Sequence, residues 1–159
     1  MPINRKLQHL ENYVDTKNLK DDSVLDSKLG PLVEKMMPFL FTAGDGISDN
    51  SDVVVLTALD GSAQALPDNA IISKYTIDVT TPLAGNSSTV AFGCVTDGAA
   101  MIKAATAFNH ASLVAATQVT ALPVLSKKLT AARNVIGTIA GADMTAGVLV
   151  LYITYFEGQ

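Results

Sequence analysis

Cys94, His9, His110 and a scatter of aspartates are the side chains in this sequence with chemistry to offer. A catalytic thiol needs a neighbouring base and a lowered pKa. Cys94 instead lies within Thr89-Val90-Ala91-Phe92-Gly93-Cys94-Val95, the pattern of a buried strand, where a thiol serves as a small hydrophobe. As the one cysteine of the chain it closes no internal disulfide. Zinc calls for several ligands at short spacing. Neither histidine has a second His or Cys so placed, and each reads as a surface or loop residue. Asp45, Asp49, Asp52 and the Asn50 amide could offer oxygen atoms to Ca²⁺. Their spacing is not that of an EF-hand and the bidentate Glu is missing, which leaves a solvated loop. Glycoside hydrolysis needs two acids across one cleft, whereas Asp60, Asp68, Asp97 and Asp143 sit in turn signals and read as turn formers. No nucleophile elbow, phosphate loop or dinucleotide fingerprint occurs. The chain has no Trp, four Tyr and five Phe, little material for a sugar-stacking platform. The expectation is a non-enzyme with neither metal nor cofactor.

The elements around these residues read as sheet. From residue 39 onward, turn signals recur at Ala43-Gly44-Asp45-Gly46, Asp60-Gly61, Pro67-Asp68-Asn69, Ala84-Gly85-Asn86, Asp97-Gly98 and Gly141-Ala142-Asp143. Runs rich in Val, Ile, Thr and Tyr lie between them, and predict strands over 53–57, 70–80, 89–95, 134–139 and 147–156. In 71–79, alternation puts Ile72, Lys74, Thr76 and Asp78 on one face and Ile71, Ser73, Tyr75, Ile77 and Val79 on the other. The last run is apolar at both parities, Val148, Val150, Tyr152 and Phe156 as well as Leu149, Leu151, Ile153 and Tyr155. That predicts a central strand with one face covered by another subunit, and Val150, Tyr152 and Tyr155 are the candidate subunit-packing residues. Segment 98–107 is alanine-rich: propensity makes it a helix, and a strand of small residues against a close neighbour fits as well. Short strands without a βαβ rhythm indicate a mainly β fold, an antiparallel β-sandwich of jelly-roll type, with a partly helical N-terminal arm.

Of 159 residues, 48% are hydrophobic and only 16% charged, against roughly 25% charged in ordinary globular chains. Residues 1–38 hold six basic and six acidic groups, while the other 121 hold five and nine, so the whole net charge of −4 belongs to the second part. This divides the chain into an arm, 1–38, and a knob domain, 39–159. A net-acidic chain with a pI near 4.9 has no basic footprint for nucleic acid. Arg5, Lys6 and His9 are followed by no apolar run of a signal peptide. The longest apolar run, 147–156, is far short of the roughly 18 residues of a membrane span. The expectation is a chain soluble by itself or in an assembly.

In the arm, Ile3, Leu7, Leu10 and Val14 follow Pro2 at heptad spacing, an a/d stripe that is stable only when packed on something. Leu19, Val24 and Leu29 then recur every five residues, a period of neither helix nor simple strand. Pro31 opens a short helical turn over 32–37, stopped by Pro38.

Asn18-Leu19-Lys20-Asp21-Asp22-Ser23-Val24-Leu25-Asp26-Ser27-Lys28-Leu29 resembles the units of trimeric phage fibre shafts and necks, in which three chains wrap together with their Ile, Leu and Val inward. A second resemblance spans residues 66–155. Leu66-Pro67-Asp68-Asn69-Ala70, Asp97-Gly98-Ala99-Ala100, Leu129-Thr130-Ala131-Ala132-Arg133, Thr138-Ile139-Ala140-Gly141 and Thr145-Ala146-Gly147 resemble, in order, blocks of a module found in structural proteins of tailed bacteriophages. The resemblance implies a β-sandwich knob on the surface of a virion, often trimeric, and brings no catalytic residues. Together with the charge-poor domain and the apolar stripe of the arm, it implies a homotrimer. In that trimer Ile3, Leu7, Leu10, Val14, Leu19, Val24 and Leu29 anchor and trimerise, with the major capsid protein or another virion protein as partner. The alternative is a tail-fibre or receptor-binding knob that grips host glycans through loops 44–52, 81–88 or 108–120.

Overall fold

A computed structural model describes residues 33–44, 52–114 and 118–158. From Glu34 onward these belong to one compact unit, Glu34–Gln159. The arm positions Ile3, Leu7, Leu10, Val14, Leu19, Val24 and Leu29 lie outside the described residues, as do Asp45 and Asp49.

Nine strands and one short helix succeed one another among the described residues: β1 (Lys35–Ala43), β2 (Asp52–Val55), β3 (Ala65–Leu66), β4 (Ala70–Gly85), β5 (Thr89–Cys94), β6 (Gly98–Ala107), α1 (Ala111–Val114), β7 (Gln118–Ala121), β8 (Arg133–Ala140) and β9 (Met144–Glu157). They form two antiparallel sheets, one ordered β1-β9-β4-β7 and the other β2-β8-β5-β6, with β3 paired to β8. Apart from the two-residue β3, the order is first, eighth, third, sixth in one sheet and second, seventh, fourth, fifth in the other. That is the strand order of a jelly roll.

One core lies between the sheets. Phe39 and Phe41 from β1, Ile77 from β4 and Leu149, Leu151 and Ile153 from β9 meet Val90 and Phe92 from β5, Ile102 from β6 and Val135 and Ile139 from β8. The Phe41 and Phe92 rings bridge the two layers edge to face, centroids 5.5 Å apart at 87°, an arrangement favoured by the aromatic quadrupole. Gly137 makes room for them: a Cβ there would lie 2.7 Å from the Phe41 ring.

The five predicted strands are all present, with ends that differ by up to five residues. Other expectations are corrected. Lys35, Met36 and Met37 are not helical. They begin β1, pairing with Tyr155, Thr154 and Ile153 of β9, because a ladder of long-range hydrogen bonds outweighs local propensity. Pro38 sits inside this strand and is tolerated because β1 is at the sheet edge. Segment 98–107 is the strand β6. Its small residues fit a close approach, since a Cβ on Gly93 of β5 would meet the backbone of Gly98 and Ala99. In β4 the alternation slips: a register shift between Ile72 and Lys74 turns Ile72 inward together with Tyr75, Ile77 and Val79, as a β-bulge does. The short strand β7 had no signal in the predicted pattern.

Truncation of Phe92 to Ala should cost about 3–5 kcal/mol, read as a lowered midpoint in chemical denaturation. Gly137→Ala, which pushes a methyl group against the Phe41 ring, should cost about 1–3 kcal/mol by the same measurement.

Candidate interaction surface

Cys94, His110, Asp60, Asp68 and Asp97 are each held in a structural role, while His9 lies outside the described residues. Cys94 is fully buried, and burial, with the Asp97 charge nearby, pushes its thiol up to about 12. His110 accepts the Ser112 N–H at Nδ1 (3.2 Å) and shares a 2.8 Å hydrogen bond with the Ser112 hydroxyl, capping the four-residue α1. Asp60 accepts from the Ser62 N–H and hydroxyl at 2.9 and 2.6 Å, and Asp68 from the Asn69 N–H at 2.7 Å. Asp97 does more than form its turn. Its carboxylate is 4% exposed and meets Lys127 at 2.7 Å and Arg133 at 2.6 Å, clamping the β5–β6 turn to the segment that leads into β8. Lys127 and then Arg133 hold the Asp97 carboxyl below its ordinary range. Lys103 is buried, its ammonium donating to the Thr106 hydroxyl at 2.6 Å, and burial lowers its pKa. Among the described residues no three His, Cys, Asp or Glu gather as metal ligands, and no helix is long and apolar enough to cross a membrane.

What the domain presents is surface. β9 lies between β1 and β4, so its inward side chains Leu149, Leu151, Ile153 and Tyr155 are buried while Val148, Val150 and Tyr152 stand half-buried on the outer face. Register arranges this face in rows: Pro38, Tyr152, Thr76 and Thr120, then Leu40, Val150, Asp78 and Gln118. The half formed by β1 and β9 is therefore apolar, and the half formed by β4 and β7 is hydroxyl-, amide- and carboxylate-bearing. A shallow groove of about 230 Å³ crosses both halves, lined by Met36, Tyr152, Thr76, Thr120 and Gln118. The Thr76 and Thr120 hydroxyls are hydrogen-bonded at 2.8 Å. At the corner where the chain runs into β1, Lys74 and Ser73 bind Glu34 at 2.9 and 3.0 Å, and Lys35 pairs with Glu157 at 3.0 Å. The Lys74 and Ser73 contacts hold the Glu34 carboxyl below its usual range.

Of the predicted subunit-packing residues, Val150 and Tyr152 share this outer face. Tyr155 does not: its odd parity turns it into the core, at 4% exposure, so it is a core residue. Several exposed apolar residues were missed. Met36 is 64% exposed, and after β7 come Leu122, Val124 and Leu125 at 78, 62 and 49%. Their signal was a run of aliphatic residues with a proline between them and no alternation, Leu122-Pro123-Val124-Leu125, which does not suit a half-buried strand.

No protein-family model matches the sequence, and no curated protein matches it. Solved structures do. The chain is similar to a chain of the cyanophage Pam1 capsid asymmetric unit, with 17% identity and a TM-score of 0.57 over 79% of this chain and 85% of that one. It is similar also to a chain of the capsid of Ralstonia phage GP4, with 18% identity and a TM-score of 0.55 over 80% and 86%. At such identities the likeness is one of fold: this jelly roll is an architecture that occurs in phage capsid assemblies.

The Cys94 thiol should resist a thiol reagent at neutral pH and react only on denaturation. Because Asp97 has a folded-state pKa below its unfolded value, the clamp stabilises fully above about pH 4 and is lost as pH falls through the folded value. Asp97→Asn should therefore melt lower than the parent at pH 7, with the gap closing under acid, in paired thermal denaturations.

Proposed function

We propose that this chain is a non-enzymatic structural protein of a phage virion, a homotrimeric decoration, cement or head-fibre protein exposed on the particle surface. Its N-terminal arm holds it to the major capsid protein or another virion protein. The observation that carries this reading is the fold likeness to the Pam1 and GP4 capsid chains, which covers 79% and 80% of this chain and 85% and 86% of those chains. The outer face supports it: β9 places Val150 and Tyr152 on a surface whose apolar character the core does not need. The arm supports it too, since the a/d stripe of Ile3, Leu7, Leu10 and Val14 and the fibre-like Leu19, Val24 and Leu29 are suited to wrapping with copies of themselves.

A second reading, a receptor-binding knob for host glycans, is favoured by one feature. The polar half of the groove sets Gln118, Thr76 and Thr120 beside the Tyr152 ring, which are groups that bind sugar hydroxyls and stack on a sugar face. Glycan binding by the full chain in an array would favour it.

Sedimentation of the purified chain should give a trimer at micromolar concentration, and a monomer would count against the decoration role. Removal of residues 1–33, which spares β1, should abolish binding to particles while circular dichroism still reports the β domain. Retained particle binding would move the anchor from the arm to the domain.

A further inference from the structure

The groove on the β1-β9-β4-β7 face has two unlike walls. Met36 and the Tyr152 ring form one, and Thr76, Thr120 and Gln118 form the other. Strand pairing fixes their spacing. Tyr152, Thr76 and Thr120 stand in one row across β9, β4 and β7, about 10 Å from end to end. Asp78 and Gln118 belong to the next row, about 7 Å further along the strands. The space is about 230 Å³, below the roughly 300–1,000 Å³ that holds a drug-sized molecule, so it admits one small ring and not a chain of them.

The polar wall selects among uncharged ligands. The Thr76 and Thr120 hydroxyls are bonded to each other at 2.8 Å, which leaves the pair one O–H to donate and lone pairs with which to accept. The Gln118 amide does both, and the Asp78 carboxylate accepts. Mixed donors and acceptors of this kind match hydroxyl groups, which also do both. An apolar ligand would strip water from these groups and return no hydrogen bond. An extended peptide is recognised through main-chain bonds at a strand edge, whereas this groove crosses the face of the sheet and offers side chains. Anions are disfavoured as well. Lys74, two residues before Thr76, is paired with Glu34 at 2.9 Å, so the net charge beside the groove is that of Asp78.

We infer that the groove is a subsite for one neutral pyranose ring. The C–H face of the sugar lies on Tyr152 and Met36, and its hydroxyl edge meets Thr76, Thr120, Gln118 and Asp78. This rests on the glycan reading above and gives it a place and a sugar class, uncharged hexoses, with uronic acids rejected.

Saturation-transfer NMR on the full chain tests this, with the methyl glycosides of glucose, galactose, mannose and glucuronic acid as probes. At least one neutral glycoside should bind, with a Kd on the order of 1 mM for a ligand of this size. Gln118 and Thr120 are exposed, so their variants leave the fold intact. Gln118→Ala should weaken binding about two- to tenfold, and Thr120→Arg, which fills the groove, should remove the signal. Tyr152→Ala should remove it too, while Tyr152→Phe keeps the ring and the signal. At low salt the glucuronide should bind at least about threefold more weakly than the matching glucoside, and Asp78→Asn should erase that difference. A neutral sugar that binds the parent, Gln118→Ala and Thr120→Arg equally well overturns this site and leaves the glycan reading standing. So does binding of longer glycans in an array without binding of any of these glycosides. Tighter binding of the glucuronide than of the glucoside overturns the sugar class and with it the proposal. No binding in either format overturns both the subsite and the glycan reading.

Discussion

The closure of two sheets over one layer of side chains, keyed by the Phe41–Phe92 edge-to-face contact, is the constraint on which the rest of the domain depends. A two-layer sandwich has one interior and two exteriors, and a strand presents its side chains alternately to each. Once Leu149, Leu151 and Ile153 are committed to the core, the intervening residues of β9 face outward with no choice in the matter. Folding needs nothing apolar at those positions. Val148, Val150 and Tyr152 are there all the same, and with Pro38 and Leu40 across the ladder they make the apolar half of the outer face.

Charge is distributed to the same effect. Several ion pairs are placed near strand ends: Asp97 between Lys127 and Arg133, Glu34 against Lys74, Lys35 against Glu157. Exposed pairs of this kind contribute little to stability, but they fix corners. The Asp97 clamp differs because its carboxylate is enclosed, so it ties the β5–β6 turn to the run into β8 with a defined geometry. Between these corners the outer face carries hydroxyls, amides and aliphatic groups beside the single carboxylate of Asp78 in its described rows.

How much of this was legible in the residues depends on the physical quantity each signal measures. Runs of Val, Ile, Thr and Tyr bounded by Gly, Asn and Asp reported β2, β4, β5, β8 and β9 because side chains that suit a pleated, buried surface between turn formers are a local signal with a strong physical cause. What failed was whatever depends on the partner strand. The bulge beyond Ile72 inverts the parity of part of β4. Lys35, Met36 and Met37 become strand through pairing with residues over a hundred positions away, and the alanines of β6 are accommodated by a neighbour's backbone. On the surface, the doubly apolar β9 was readable as a strand with apolar side chains on both faces, and Val150 and Tyr152 do stand on the outer one. Tyr155 was misassigned because an apolar residue of either parity carries the same composition; only parity relative to Leu151 separates core from surface. The loop 122–125 left only a run of aliphatic residues around a proline, and its place was not readable from that, since it is fixed by hydrogen bonds to β6.

The position of β9 also links the outer apolar face to the completion of the fold. It lies between β1 and β4 and carries most of the pairing in its sheet, so the β1-β9-β4-β7 sheet does not exist until the last strand of the domain is in place. Pairing at such sequence separation has to overcome a large loop-closure entropy and is slow for that reason. The outer apolar face is built from the same strand. Before β9 inserts there is no such face, and afterwards the inward half of the strand is already sealed in the core. A surface that comes into being only with the completed fold protects a charge-poor chain from premature association, a hazard that exposed strands and apolar patches otherwise bring.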